Sequence, residues 1–170
     1  MPTIGVSIAI PEPWAGRLQD YREGLGDATA RMIPTHITLV PPTEVADEAL
    51  AEVDAHLADA ADHHGSFRVH LRGTGTFRPV SSVVFVALAE GISGCETLAA
   101  QVRRGPLAVD LAFPYHPHVT VAHDLAEDRL DRAFDELADF DCAFECDHFW
   151  LYHHDATTGW QPSRRYDLGG

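Results

Sequence analysis

The sequence has 170 residues, of which 45% are hydrophobic and 22% are charged, and its formal net charge is −14. This composition fits a globular protein with enough apolar material for a core. The acidic balance argues against nonspecific binding along nucleic acid, which needs a broad basic surface. Three cysteines, an odd number, favour reduced thiols and a cytoplasmic location. The N-terminal segment has neither a signal-peptide pattern nor a membrane span, so we expect no membrane partner.

The hydrophobic pattern changes its period along the chain, which predicts a succession of strands and helices. Runs of β-branched residues such as IGVSIAI indicate buried strands. Apolar residues three or four positions apart, such as Leu50, Val53 and Leu57, indicate amphipathic helices. In chain order we predict a strand over 4–10, a helix over 14–25, a strand over 36–40, a helix over 47–65, strands over 66–77 and 81–91, a helix over 93–104, a strand over 118–123, a helix over 126–140, a strand over 142–154, and a short strand with a tail over 164–170.

One short pattern occurs in both halves of the chain. HITLV (36–40) and HVTVA (118–122) each begin with a histidine, have a threonine two places later and are otherwise apolar. Two such hits by chance have a probability on the order of one in a hundred. Each is followed by a strong amphipathic helix and then by an extended strand, as expected of a degenerate internal duplication. We therefore predict one domain, 1–170, with two pseudo-symmetric lobes.

The pattern places two polar side chains on one face of each strand. Residues i and i+2 of a strand project to the same side. His36 and Thr38 therefore project together, while Ile37 points into a core. His118 and Thr120 behave in the same way. If a pseudo-two-fold axis relates the lobes, the two His–Thr pairs face each other across a cleft.

Two opposed His–Thr pairs suit an in-line displacement at phosphorus, which needs a base on the attacking side and an acid on the leaving side. Histidine can serve as either near neutral pH, because its ordinary pKa is about 6.5. Threonine hydroxyls can donate to the nonbridging phosphate oxygens, and strands hold all four groups rigidly. This chemistry requires neither a metal ion nor a cofactor, and we predict none.

The motifs resemble the two His-x-Thr/Ser motifs that define the 2H phosphoesterase family, which includes the bacterial proteins called 2′-5′ RNA ligases and the cyclic nucleotide phosphodiesterases. The contexts PTHITLVPP and YHPHVTVAH are similar to those of the family, as is GTGTFRPVSSVVFVAL between them. The resemblance implies an α+β class, with a bilobal, duplicated fold of two antiparallel sheets, flanking helices and a central cleft. It also implies that His36 and His118 are the catalytic acid–base pair and that Thr38 and Thr120 bind the phosphate.

Three further residues near the motifs are candidates for the substrate pocket. Phe77 and Tyr115 are aromatic and can stack on a base, and Arg78 can supply positive charge at the cleft. His123 departs from the family pattern, since relatives often have Arg or Lys at this position. This departure puts in doubt a basic contact to substrate from that residue.

We therefore predict a metal-independent phosphodiesterase that opens a 2′,3′-cyclic phosphate, or cleaves a 2′-5′ phosphodiester, of a nucleotide or an RNA end. Ligation through a 2′-5′ bond is an alternative, because it is the same chemistry in reverse with a 5′-hydroxyl as the attacking group. A nucleotide-binding module with negligible turnover is a second alternative, and a protein-interaction domain with packed histidines is a third. We expect a monomer whose partner is its substrate, a nucleotide or an RNA end.

Overall fold

A computed structural model of the protein describes residues 1–169, over which the chain forms four α-helices and eight β-strands. All four predicted helices are present. In chain order the elements are β1 (Thr3–Ala9), α1 (Trp14–Gly24), β2 (His36–Glu44), α2 (Leu50–Asp62), β3 (Phe67–Thr76), β4 (Val83–Glu90), α3 (Ile92–Val102), β5 (Val119–His123), α4 (Glu127–Glu136), β6 (Asp141–Cys146), β7 (His148–Asp155) and β8 (Gly159–Asp167).

The strands form one curled sheet in the order β6-β3-β4-β5-β2-β1-β7-β8, in which every neighbouring pair is antiparallel. The half made of β8, β7, β1 and β2 meets the half made of β5, β4, β3 and β6 at one residue pair, Ile37 opposite Val119. The predicted α+β class with antiparallel strands is confirmed. The two predicted sheets correspond to these halves, which are joined at the centre into a single sheet.

The two halves have matching internal order. In each half, the motif strand, β2 or β5, pairs with the strand that comes before it in the chain. A helix connects the two strands. These units are β1–α1–β2 and β4–α3–β5. An internal duplication would produce this arrangement, which therefore supports the predicted pair of pseudo-symmetric lobes, although the duplication itself stays a prediction.

One predicted strand is wrong. The alternating run over 142–154 predicts a single long strand, but the chain divides at Asp147 into β6 and β7, which lie in different halves of the sheet. β6 pairs with β3, whereas β7 pairs with β1 and β8. Alternation continues on both sides of Asp147, so the local pattern could not show that the pairing partners change.

The last strand is longer than predicted. The sequence predicts a short strand from residue 164, whereas β8 begins at Gly159 and pairs with β7 as far as Asp167. Side chains 161–165 are exposed because β8 is an edge strand, so they lack the apolar alternation that marks a half-buried strand. Backbone pairing with β7 therefore defines most of this strand.

The helices pack on the face of the sheet opposite to the motif side chains. Alternation in β2 and β5 directs Ile37, Leu39, Val119 and Val121 into the core, where each is at most 1% exposed. α3 packs against β2, and α1 and α4 pack against β5. The motif side chains consequently project from the other face, toward the cleft. Among residues 1–169, no helix combines the length and apolar character required to cross a membrane.

Candidate active site

Each motif histidine is held by the same backbone hydrogen bond. Nδ1 of His36 donates to the carbonyl oxygen of Pro34 at 2.6 Å, and Nδ1 of His118 donates to the carbonyl oxygen of His116 at 2.6 Å. In both cases the acceptor lies two residues earlier in the chain. Because a carbonyl oxygen only accepts, Nδ1 carries the proton and Nε2 of each neutral ring keeps its lone pair. Both rings thus have Nε2 available for proton transfer.

The register of the central strands brings the two motifs together. The residue that follows each histidine forms the β2–β5 pair. In this antiparallel register, the positions on either side of the Ile37–Val119 pair set His36 beside Thr120 and Thr38 beside His118. These side chains lie on the face opposite the core. His36 and Thr120 line one common cavity, and Nε2 of His36 lies 3.1 Å from Oγ1 of Thr38. The structure therefore gathers the four predicted catalytic and phosphate-binding residues at the centre of the sheet.

Burial lowers the pKa of both histidines. Desolvation is the largest cause for His36, and the nearby positive charge of Arg22 lowers the pKa further, while the hydrogen bond to the Pro34 carbonyl opposes the shift. Desolvation also dominates for His118, and repulsion from His36 adds to it. Each ring therefore loses its proton below the ordinary value of about 6.5, and the repulsion couples the two titrations.

These pKa shifts predict the pH dependence of turnover. If the two histidines act as general base and general acid, kcat/KM should follow a bell whose two limbs report this pair in the free protein, because the base acts deprotonated and the acid protonated. Because both pKa values are lowered, we expect its maximum below about pH 6.5. A bound anionic substrate favours the imidazolium forms, so the kcat profile should lie at higher pH. Steady-state rates across the histidine range test this, and a kcat/KM maximum above that value contradicts it.

Arg22 on α1 supports the first histidine and is not among the residues predicted from the sequence. Arg22 is 5% exposed, and its guanidinium donates to the carbonyl oxygen of Ile33 at 2.6 Å, next to the Pro34 carbonyl that holds His36. Arg22 lies four residues after Leu18 on the apolar stripe of α1, and this position was the available signal. Arg22 thus fixes the turn before His36 and places a positive charge near the ring.

A pair of Arg22 variants extends the pH experiment. Arg22→Gln removes the charge but keeps a hydrogen-bond donor, so the pKa of His36 should rise and one limb of the bell should move to higher pH. Because the two titrations are coupled, the limb that moves belongs to the histidine pair, and its movement to higher pH is the result that tests the charge of Arg22. Arg22→Lys keeps the charge and should leave both limbs close to their wild-type positions.

An aromatic cluster holds the second histidine. The ring centroid of His118 lies 4.9 Å from that of Phe77 and 5.3 Å from that of Phe85, and the two phenylalanine rings contact each other at 4.6 Å. Phe77, a predicted pocket residue, thus lies at the site in contact with His118. Phe85, on β4, was not predicted, because a buried phenylalanine in an apolar strand carries no signal beyond core packing. Both rings desolvate and orient the imidazole.

Gly75 offers a test of this aromatic support. Gly75 pairs with Phe85 across β3 and β4, and a Cβ atom there would lie 2.5 Å from the Phe85 ring. Gly75→Ala should push the ring toward His118, lower the free energy of unfolding by about 1–3 kcal/mol and reduce kcat by about tenfold or more. Thermal unfolding and steady-state kinetics measure both. Gly24→Ala is the control, because no atom lies within 4 Å of its added Cβ; equal kcat losses in both variants would contradict the argument.

The other two predicted pocket residues are engaged by protein groups. The guanidinium of Arg78 donates to Glu127 at 3.0 Å and to Asp131 at 2.7 Å, so two carboxylates of α4 balance its charge. The hydroxyl of Tyr115 donates to the carbonyl oxygen of Thr38 at 2.7 Å. Tyr115 therefore fixes the backbone of the first motif. Contacts of Arg78 and Tyr115 with substrate stay predictions.

His123 ends β5 and lines the cavity that His36 and Thr120 share. Its Nε2 lies 3.3 Å from a carboxylate oxygen of Asp124. The imidazole of His123 therefore has an acidic neighbour, and whether it contacts substrate stays a prediction. Within residues 1–169, nowhere do three His, Cys, Asp or Glu side chains group in a way that could hold a metal ion.

Comparisons with known proteins show the family and the fold of the chain. The sequence model of the 2′-5′ RNA ligase superfamily matches residues 10–158. A Bacillus cytotoxicus protein named as a candidate phosphoesterase is 27% identical over 159 residues, which cover 89% of this chain and 91% of that protein. The chain also superposes on solved structures that share its fold.

Two of these structures are E. coli LigT and a Thermus thermophilus protein, TT0787. LigT complexed with 3′-AMP has a TM-score of 0.72 at 21% identity, with 100% of both chains covered. TT0787 has a TM-score of 0.71 at 23% identity, with 100% of this chain and 99% of that chain covered. The resemblance that HITL and HVTV indicate is confirmed. The structural neighbours of the chain include 2H phosphoesterases. Because the family match spans both motifs, the chain belongs to the 2′-5′ RNA ligase superfamily.

Proposed function

We propose that the protein is a metal-independent phosphodiesterase that hydrolyses 2′,3′-cyclic phosphates, or 2′-5′ phosphodiesters, of nucleotides or RNA ends. Membership of the superfamily implies phosphodiesterase or ligase activity. The observation that carries the finer proposal is the pair of matched histidines. Each has Nδ1 bound to a backbone carbonyl, and the central strand pair sets both beside a threonine.

The two Nε2 atoms carry out the proton transfers. One neutral histidine takes a proton from water as the water oxygen forms a bond to phosphorus. The other, protonated, histidine gives its proton to the 2′ or 3′ oxygen as the bond from phosphorus to that oxygen breaks, which leaves a phosphate monoester. The reaction thus needs one neutral and one protonated ring. Repulsion between His36 and His118 favours this singly protonated state of the pair.

Thr38 and Thr120 would stabilise the charge that develops on phosphate. Their hydroxyls lie on the same face as the two imidazoles and can donate to the nonbridging oxygens. His36 Nε2 has no proton in the neutral ring, so the 3.1 Å contact with Thr38 has the threonine hydroxyl as donor. That hydroxyl would rotate to the phosphate when substrate binds and leave Nε2 free for proton transfer.

Ligation is a second candidate activity, because the matching family takes its description from 2′-5′ RNA ligases. The same four residues would serve it, with a 5′-hydroxyl in place of water as the attacking group. The 3′-AMP in the LigT structure supports a nucleotide as the ligand of this chain. The monomeric state and the cytoplasmic location stay predictions.

Hydrolysis of 2′,3′-cyclic mononucleotides in excess chelator tests the proposal. We expect turnover that survives chelation, and the position of phosphate in the product monoester identifies the leaving oxygen. A parallel incubation with one RNA that ends in a 2′,3′-cyclic phosphate and one that begins with a 5′-hydroxyl tests ligation. Turnover abolished by chelator and restored by a divalent cation would contradict the metal-independent mechanism. Tight nucleotide binding without turnover would favour the binding module.

A further inference from the structure

The two halves of the sheet meet at a narrow junction between β2 and β5. Over residues 1–169, these strands pair at a single position, Ile37 opposite Val119, whereas β1 pairs with β2 at six positions and β4 with β5 at four. Each half carries one His–Thr pair. The separation of the two motif histidines therefore depends on contacts that cross this junction.

The hydroxyl of Tyr115 supplies such a contact. It donates to the carbonyl oxygen of Thr38 at 2.7 Å and so joins the segment before β5 to β2, over a separation of 77 residues in the chain. Thr38 directly follows Ile37, the β2 member of the junction pair. Burial raises the pKa of Tyr115, so the hydroxyl stays protonated and remains a donor throughout the pH range in which histidine titrates.

The ring of Tyr115 lies on the helix face of the sheet, away from the cleft. It packs against the core, and the guanidinium of Arg103 lies 5.2 Å from its centroid. Arg103 directly follows α3, which packs against β2 on that face. The next residue, His116, has its ring centroid 5.5 Å from that of Phe77, which also contacts His118 in the cleft. Tyr115 therefore reaches the first motif from behind the reacting groups.

The first half has a matching support. Arg22, in the last turn of α1, donates to the carbonyl oxygen of Ile33, which lies three residues before the first motif histidine. Arg103 lies over Tyr115, which is three residues before the second motif histidine. In each half, an arginine at the end of the connecting helix thus supports the residue three places before the histidine. In the second half, that residue also carries a hydroxyl that reaches the other motif.

We propose that Tyr115 is a positioning residue that sets the separation of His36 and His118 through its bond to the backbone of the first motif. The proposal rests on the proposed function, because proton transfer on two sides of phosphorus needs both imidazoles at fixed distances from it. A displacement of about 1 Å can cost about 10²-fold in rate. A residue that stacks on a base would need only its ring, whereas this role needs the hydroxyl, so the two roles can be separated.

Tyr115→Phe deletes the hydroxyl and keeps the ring. We expect kcat for a 2′,3′-cyclic nucleotide to fall about tenfold or more, with little change in KM, because the groups that bind the nucleoside are untouched. Tyr21→Phe is the matched control and should keep wild-type kcat, since the Tyr21 hydroxyl donates to Glu136 at 3.0 Å between α1 and α4. Unchanged kcat in Tyr115→Phe, or a loss confined to KM, would overturn the positioning role.

A double variant tests whether Tyr115 acts through the histidines. In a His118→Ala background, proton transfer by that ring is already lost, so Tyr115→Phe should lower the remaining kcat by about twofold or less. The two changes would then share one effect, as expected of a residue that aligns His118 with the first motif. Equal proportional losses in both backgrounds would show that Tyr115 acts independently of His118 and would overturn the proposal.

Amide hydrogen exchange gives a readout that needs no turnover. Tyr115→Phe should speed exchange in residues 37–39 and 119–121 by about two- to tenfold, which corresponds to the net contribution of one hydrogen bond. Amides of β3 and β7 should keep their wild-type rates. Uniform acceleration across the sheet, or unchanged exchange at the junction, would overturn the role. If wild type hydrolyses no cyclic nucleotide, the proposed function fails, yet acceleration confined to the junction would still support Tyr115 as the residue that holds the two motifs together.

Discussion

Alanine at His36 or at His118 should lower kcat for a 2′,3′-cyclic nucleotide by about 10²- to 10⁴-fold. Each substitution removes the Nε2 that accepts or donates a proton at one side of phosphorus. The kcat of the double variant should be close to that of the less active single variant, because the two rings act as one acid–base unit. Steady-state kinetics at the pH optimum of wild type, with product identified by chromatography, measure the loss.

A structural role would give a different result. His118 packs against Phe77 and Phe85, so His118→Ala also leaves a gap in an aromatic cluster. Thermal unfolding of each variant therefore accompanies the kinetics. His70→Ala is the control, since His70 bonds Asp141 at 2.8 Å across β3 and β6, away from the motifs. If either motif variant keeps more than a tenth of wild-type kcat, that histidine is not an acid or base in this reaction.

Each His–Thr pair of the candidate site could be predicted from sequence because it rests on local geometry. Strand alternation alone puts His36 and Thr38 on one face with Ile37 behind them, and the second motif follows the same rule. The helices were predictable for the same reason, since each carries an apolar stripe that covers the sheet. Neither prediction depends on knowing which strands become neighbours.

The rest depends on pairing between distant segments. Ser7, Tyr152 and Trp160 meet in one pocket only because β7 and β8 return to pair beside β1. The division at Asp147 is a change of partners, which alternation does not record. Arg22 lies on the apolar stripe of α1, but its role depends on the contact of its guanidinium with the turn before His36, which is distant from the helix in the sequence.

Replacing the hydroxyl of Thr38 or Thr120 is the second change with a large expected effect. Thr→Val keeps the β-branched shape that suits a strand but removes the donor to a nonbridging oxygen. We expect kcat/KM to fall by about 10²- to 10³-fold for each, as when one preorganised donor to a developing negative charge is removed. Thr38→Val also deletes the group that donates to Nε2 of the neutral His36 ring. The limbs of the pH profile of kcat/KM should therefore move in Thr38→Val. In Thr120→Val they should stay at their wild-type positions.

Serine at either position separates the hydroxyl from the methyl group. Thr38→Ser and Thr120→Ser keep the donor and should recover most of the activity that valine removes. Thr43→Val is the matched control, since Thr43 lies on the same strand as Thr38 but its hydroxyl donates to the carbonyl oxygen of Pro41 at 2.8 Å. Valine variants that keep more than half of wild-type kcat/KM would show that the hydroxyls do not contact the reacting phosphate. Charge stabilisation would then have to come from the histidines alone, and the kinetic losses in their alanine variants would have to account for it.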